Sequence, residues 1–73
     1  MIRVEFLGPI KRESLEIDIS NLRELKELFA NDKELKEWLK ISSVAINDTI
    51  VDSLDVGLKD GDVISILPPV CGG

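Results

Sequence analysis

Apolar and charged residues alternate from the start of the chain. Ile2, Val4 and Phe6 interleave with Arg3 and Glu5, the period-two pattern of a half-buried strand, and Gly8-Pro9 ends it. Leu15, Ile17 and Ile19 alternate with Glu16 and Asp18 and predict a second strand, joined to the first as a hairpin around residues 8–13. The period then changes. Leu22, Leu25, Leu28 and Phe29 recur at helical spacing, with Arg23, Glu24, Lys26 and Glu27 around them. Ser20-Asn21 opens this helix, and Asn21 followed by Glu24 has the spacing of a capping box, with Asn in place of the usual Ser or Thr. Asn31-Asp32 breaks the pattern and can cap a second short helix whose apolar face is Leu35, Trp38 and Leu39. Trp38 reads as core filler rather than as a ligand platform.

Strand patterns return in the second half. Val44-Ala45-Ile46 and Thr49-Ile50-Val51 flank Asn47-Asp48, two residues that tolerate positive φ and suit a tight turn. Residues 52–59 read as a loop or single turn, Asp60-Gly61 as a further turn, and Val63 to Leu67 as a last strand rich in β-branched residues. Pro68-Pro69 stops that strand. The order β-β-α-(α)-β-β-β predicts an α+β fold: a mixed sheet with one main helix packed on one face, and the first and last long strands parallel at its centre. That is the β-grasp, or ubiquitin-like, arrangement. Residues 1–67 form its single domain, and residues 68–73 are expected to form a flexible tail ending in Gly-Gly.

The alternation has a consequence for the other face of the sheet. If Ile2, Val4, Phe6, Ile64 and Ile66 face the helix, then Leu7, Val63, Ser65 and Leu67 point outward. Leu7, Leu67 and Ile50 would then form an exposed apolar patch beside the tail. Scattered surface apolars are ordinary, whereas a contiguous patch marks a docking surface.

Composition narrows the function. A net charge of −5 disfavours nucleic acid as a partner. The acid is concentrated in residues 47–62, where Asp48, Asp52, Asp55, Asp60 and Asp62 face Lys59 alone. This is a solvated surface or a means of steering a basic partner. With no His and with Cys71 as the single cysteine, neither an ordinary zinc site nor a Ser–His or Cys–His nucleophile pair can be assembled. No Gly-rich phosphate loop ending in Lys-Ser or Lys-Thr is present, so the chain is not expected to bind ATP, or any other cofactor, stably by itself. The lone cysteine fits a reducing compartment, and no segment has the length of a membrane span or the character of a signal peptide. A cytoplasmic protein without membrane attachment is expected.

Chemistry is left to the tail, Pro68-Pro69-Val70-Cys71-Gly72-Gly73. Pro-Pro favours an extended conformation and lowers the entropy lost when the segment threads into a partner. At about 3.3–3.6 Å per residue the stretch beyond Leu67 can reach roughly 20 Å. Two glycines remove Cβ atoms where a backbone must pass a narrow channel. A terminal carboxylate, with a pKa of about 3.3–3.7, is ionised at neutral pH and is a poor electrophile. To carry a group it must be activated, as in a mixed anhydride with AMP, and a separate enzyme must do this. A sulfur nucleophile that displaces AMP then leaves a thiocarboxylate, a soft anion able to attack an activated carbon. Gly-Gly alone also suits an inert frayed end; the strand, Pro-Pro, Val and Gly-Gly in succession favour the working reading.

These residues resemble a known family. Val44-Ala45-Ile46-Asn47-Asp48-Thr49-Ile50-Val51 is similar to the strand–Asn–strand segment of the MoaD group of the MoaD/ThiS sulfur carriers, the small subunits of molybdopterin synthase. Leu58-Lys59-Asp60-Gly61-Asp62-Val63 resembles the family's L-x-D-G-D-x-V turn, with Val63 one place early. Pro68-Pro69-Val70-Cys71-Gly72-Gly73 resembles its P-P-V-x-G-G ending. The resemblance implies a non-catalytic, sulfur-donating subunit. An E1-like adenylyltransferase of the MoeB type would use ATP to adenylate Gly73, and a donor would place covalent sulfur there as a thiocarboxylate. The tail, Pro68 to Gly72, would insert into the large subunit, of the MoaE type, and deliver sulfur to cyclic pyranopterin monophosphate. The family's complex is a heterotetramer whose catalytic Lys and Arg lie on the large subunit. Its apolar contact falls on positions matching Leu7, Ile50 and Leu67. Cys71 departs from the small Ala or Ser more usual in the family, and is either one more small side chain or a thiol able to react with the activated Gly73 carboxyl.

Other functions suit the same sequence. A thiamine-pathway carrier of the ThiS type shares the fold, the Gly-Gly end and the activation chemistry, with Pro68-Pro69 as the main feature against it. A ubiquitin-like modifier would be joined to protein lysines through Gly73. A plain β-grasp binding module would work without Gly72-Gly73.

Overall fold

The computed structural model describes residues 1–69. Seven elements follow one another: β1 (Ile2–Phe6), β2 (Leu15–Ile17), α1 (Arg23–Phe29), α2 (Lys33–Ile41), β3 (Ser43–Ile46), β4 (Thr49–Val51) and β5 (Val63–Leu67). The strands form one sheet in the order β2-β1-β5-β3-β4. β1 runs parallel to β5, with Val4 beside Ile64 and Phe6 beside Ile66. All other pairings are antiparallel. The first and last long strands are thus neighbours inside the sheet, as the element order predicts.

Alternation decides which face is covered. Ile2, Val4, Val44, Ile64 and Ile66 are buried together with Leu22, Leu25, Phe29 and Leu35 from the helical segment. Phe6 joins them from the sheet, its ring 6.0 Å from that of Phe29. Each large apolar side chain buried here is worth about 1.5–3 kcal/mol, so this layer supplies most of the folding drive. Trp38 and Leu39 pack against it from α2, in the filler role expected of Trp38. There are two helices of similar size rather than a single dominant one, and α2 is the longer at 9 residues against 7 for α1.

The helix starts are set by carboxylates. Asn21 Oδ1 accepts the Arg23 N–H at 2.9 Å, while Glu24 Oε2 accepts the N–H groups of Ser20 and Asn21 at 2.8 and 2.9 Å. Glu24 thus supplies its half of the exchange that the Asn21–Glu24 spacing foretells, while the Asn21 side chain takes the Arg23 N–H and the Glu24 N–H goes to the Asn21 carbonyl. Asp32 caps α2 by accepting the Leu35 N–H at 3.2 Å. Both carboxyls are held below their ordinary range, Glu24 first by the Ser20 N–H and Asp32 first by the Leu35 N–H.

Two features differ from the sequence pattern. β2 stops at Ile17 rather than Ile19, because its partner register ends at the Ile2–Ile17 pair and the chain then turns into the α1 cap. Ile10, inside the β1–β2 connection, is only 3% exposed and plugs the core. A single apolar residue among Lys, Arg and Glu gave no periodic signal for this.

Candidate functional site

The tail begins where the β5 ladder must end. Pro68 has no N–H to offer a neighbour, so β5 stops at Leu67. Pro68 is nevertheless buried, and Pro69 is exposed. The neighbour that receives Pro68 is the β1–β2 loop. Leu7 N–H donates to the Ile66 carbonyl at 3.2 Å, carrying the β1–β5 pairing one residue past β1. Gly8 follows with φ 65°, and a Cβ there would stand 3.3 Å from Pro68 Cγ. Val70, Cys71, Gly72 and Gly73, the remainder of the expected tail, lie outside the described residues.

The tail root borders the face of the sheet that no helix covers. Register places Glu5, Ser65, Ala45 and Ile50 in one row across β1, β5, β3 and β4. Leu67 and Ser43 form the next row, on the side where the tail leaves, and alternation puts Leu7 on the same face beyond Glu5. Leu7 and Ile50 are exposed by 41% and 61%, and Leu67 is half-buried. The structure therefore brings Leu7, Ile50 and Leu67 to one face, around a floor of small residues.

That floor is the part the sequence pattern did not single out. Ala45 and Ser65 are 3% and 8% exposed, although among the described residues no helix or strand lies over them. Their short side chains sit below those of the surrounding strands. The signal was available in principle: small residues at outward positions of two adjacent strands, beside Ile50 and Leu67. The opposite end of the face is polar, where Arg3 Nε donates to Glu5 Oε2 at 3.1 Å and Arg3 Nη2 to Ser14 Oγ at 3.2 Å.

Two turns hold the edge of this face in place. Asn47 and Asp48 adopt φ of 49° and 70°, as the tight turn between β3 and β4 requires. Asn47 Nδ2 donates to Asp62 Oδ1 at 2.9 Å, and Asn47 Oδ1 accepts the Val63 N–H at 3.0 Å. Asp62 Oδ2 also accepts the Lys59 N–H at 2.8 Å. The Lys59 N–H, followed by the Asn47 amide, holds the Asp62 carboxyl below its ordinary range. The strand–Asn–strand segment and the Asp-Gly-Asp turn are thus one joint. Of the other acids in this stretch, Asp60 pairs with the Met1 ammonium and Asp55 with Arg23. Asp48 and Asp52 make no ion pair among the described residues, so fewer charges are free to steer a partner than the count suggests.

Among the described residues no group of three or more His, Cys, Asp or Glu side chains is placed to hold a metal ion. Nor is any described helix long and apolar enough to cross a membrane.

Comparison with known proteins follows this geometry. The family model described as the ThiS family matches residues 3–73. A chain from the complex of subunits 1 and 2 of molybdopterin-converting factor from Helicobacter pylori 26695 is 50% identical, with a TM-score of 0.88 over 99% of this chain and 97% of that one. A chain of the Amycolatopsis orientalis BexX/CysO complex superposes with a TM-score of 0.76 at 24% identity, covering the whole of both chains. Urm1 from Trypanosoma brucei superposes with a TM-score of 0.69 at 25% identity, over 99% of this chain and 94% of that one. These likenesses establish the β-grasp architecture. No curated protein matches the chain.

Proposed function

The chain belongs to the ThiS family, and from that premise we propose that it is the sulfur-carrying small subunit of a molybdopterin synthase. One observation carries this reading: half the residues are shared, over nearly the full length of both chains, with a chain from the two-subunit molybdopterin-converting factor. The family model by itself would equally suit a thiamine-pathway carrier; the 50% identity over nearly the whole of both chains is what favours the molybdopterin branch.

The chemistry divides between this chain and its partners. The Gly73 carboxylate attacks the α-phosphorus of ATP on an E1-like enzyme of the MoeB type, releasing pyrophosphate and forming an acyl adenylate. A sulfur nucleophile attacks the acyl carbon, and AMP leaves with the bonding electrons. The thiocarboxylate then enters a large subunit of the MoaE type and donates its sulfur to cyclic pyranopterin monophosphate. The chain itself contributes reach through Pro68 to Gly72 and a docking face built on Leu7, Ile50 and Leu67. An apolar rim around a small-residue floor suits that role, because it desolvates readily and admits a protruding side chain.

Intact mass after incubation with an activating enzyme, ATP and sulfide tests the proposal. The expected product has one oxygen exchanged for sulfur at Gly73, and it converts cyclic pyranopterin monophosphate when mixed with a large subunit. If the wild-type protein gives no AMP release and no mass change, the carrier reading is refuted. A loaded protein that rescues only a thiamine auxotroph would move it to the other branch of the family.

A further inference from the structure

Gly8 and Gly61 both have positive φ, 65° and 93°, a conformation that side chains of L-residues rarely adopt. Their surroundings differ. A Cβ on Gly61 would meet nothing within 4 Å, so its backbone alone calls for glycine. A Cβ on Gly8 would lie 3.3 Å from Pro68 Cγ and 3.8 Å from Pro68 Cδ. Gly8 therefore answers two demands, a left-handed turn and room for a proline ring. A side chain at position 8 would have to displace the ring by a few tenths of an ångström. Leu7 is bonded to the Ile66 carbonyl, which fixes the loop against the end of β5, and Pro68 is buried.

We infer that Gly8 is a positioning residue for sulfur transfer: it seats the Pro68 ring and thereby sets the bearing on which the tail leaves the sheet. The inference rests on the carrier reading. The lever is geometric. Pro69 follows directly, and its fixed φ passes a rotation at Pro68 onward instead of absorbing it. A displacement at Pro68 is therefore carried into Pro69, from which the tail sets out, and a misplacement of about 1 Å at reacting atoms can cost on the order of a hundredfold in rate. The docking face remains intact, because Ile50 and Leu67 keep their strand positions and Leu7 keeps its bond to the Ile66 carbonyl.

Gly8→Asn and Gly61→Asn separate the two demands. Asn tolerates positive φ better than other side chains, and the backbone cost is the larger for Gly61→Asn, at φ 93° against 65°, but only Gly8→Asn pushes on Pro68. Both fold, with modestly lower melting temperatures. Single-turnover sulfur transfer is measured with thiocarboxylated carrier and large subunit at several concentrations. Gly8→Asn is expected to lose about tenfold or more in the saturating rate with an unchanged half-saturating concentration, while Gly61→Asn matches wild type in both. A Gly8→Asn carrier with a wild-type saturating rate would overturn the inference.

A second measurement does not need the reaction. Cys71 is the only cysteine, so a nitroxide placed there reports where the tail lies through broadening of sheet amide signals. The broadening pattern is expected to move in Gly8→Asn and to stay put in Gly61→Asn. An unmoved pattern in Gly8→Asn removes the inference even if wild type carries sulfur. Conversely, a moved pattern in a protein that never accepts sulfur supports the seat while defeating the carrier reading.

Discussion

β5 shows two ways of burying a residue on one strand. Ile64 and Ile66 are 0% and 1% exposed because two helices lie over them. Ser65, between them, is 8% exposed with no helix above it among the described residues. On the helix-covered face, burial comes from large side chains interlocking with Leu22, Leu25 and Phe29. On the open face it comes from smallness, with Ala45 and Ser65 sheltered by longer neighbours. The first kind stabilises the fold and is filled. The second costs little to expose and leaves a shape that another surface can fill. On the proposed function, stability and recognition fall on opposite faces, so each is expected to be perturbed without the other.

Truncation in the covered layer should have the largest effect. Leu25 is 0% exposed, and Leu25→Ala is expected to cost about 2–5 kcal/mol of folding free energy. For a domain this small that is a large share of a stability of about 5 kcal/mol or somewhat more. Urea denaturation gives the loss directly. The fraction that stays folded should bind the large subunit with wild-type affinity, since the open face is untouched. A matching loss of affinity per folded molecule would mean that the two faces are coupled.

The reverse experiment is smaller in energy and opposite in kind. Ile50 is 61% exposed, so Ile50→Arg is expected to leave stability within about 0.5 kcal/mol. Affinity for the large subunit should fall roughly thirtyfold, about 2 kcal/mol, if Ile50 is a central contact. Leu7→Arg should behave alike. Titration calorimetry alongside a thermal melt checks both halves. An arginine at Ile50 that leaves affinity unchanged would remove Ile50 from the docking face.

Much of this division was legible in the order of residues, because strand alternation is a property of neighbours. Ile2, Val4 and Phe6 against Arg3, Glu5 and Leu7 sort themselves without knowledge of the partner strands. So does Asn21 with Glu24, whose bonds span three positions of one chain. What alternation could not supply was register. Only the pairing of Ala45 with both Ile50 and Ser65 brings the small residues together into a floor. The same holds for Gly8 and Pro68, which are remote in sequence and meet because β1 and β5 are parallel neighbours. Ile10 was hidden for a third reason: a loop residue follows no period, and its burial depends on the path of the whole connection.

The smallest effect sharpens the comparison by acting on neither face. Glu24, Asp32 and Asp62 each use a carboxylate to accept backbone N–H groups where a helix or turn begins. Each is held below the ordinary carboxylate range, and in each the largest cause is such a backbone bond. The unfolded chain therefore binds protons at a higher pH than the folded one. The stability these groups contribute is complete above their unfolded pKa values, about 4, and declines as pH falls through the lower folded values. Melting temperature should thus be flat near neutrality and drop below about pH 4. Asp62→Asn and Glu24→Gln should lower it at pH 7 and shallow the acid limb, since each deletes one proton-linked joint. The three carboxylates stand at element starts, so Ile50 and Leu7 should keep their surroundings until the domain unfolds as a whole. Amide chemical shifts recorded down the same pH series check this: early movement at Ile50 while α1 remains folded would show that the open face depends on these joints after all.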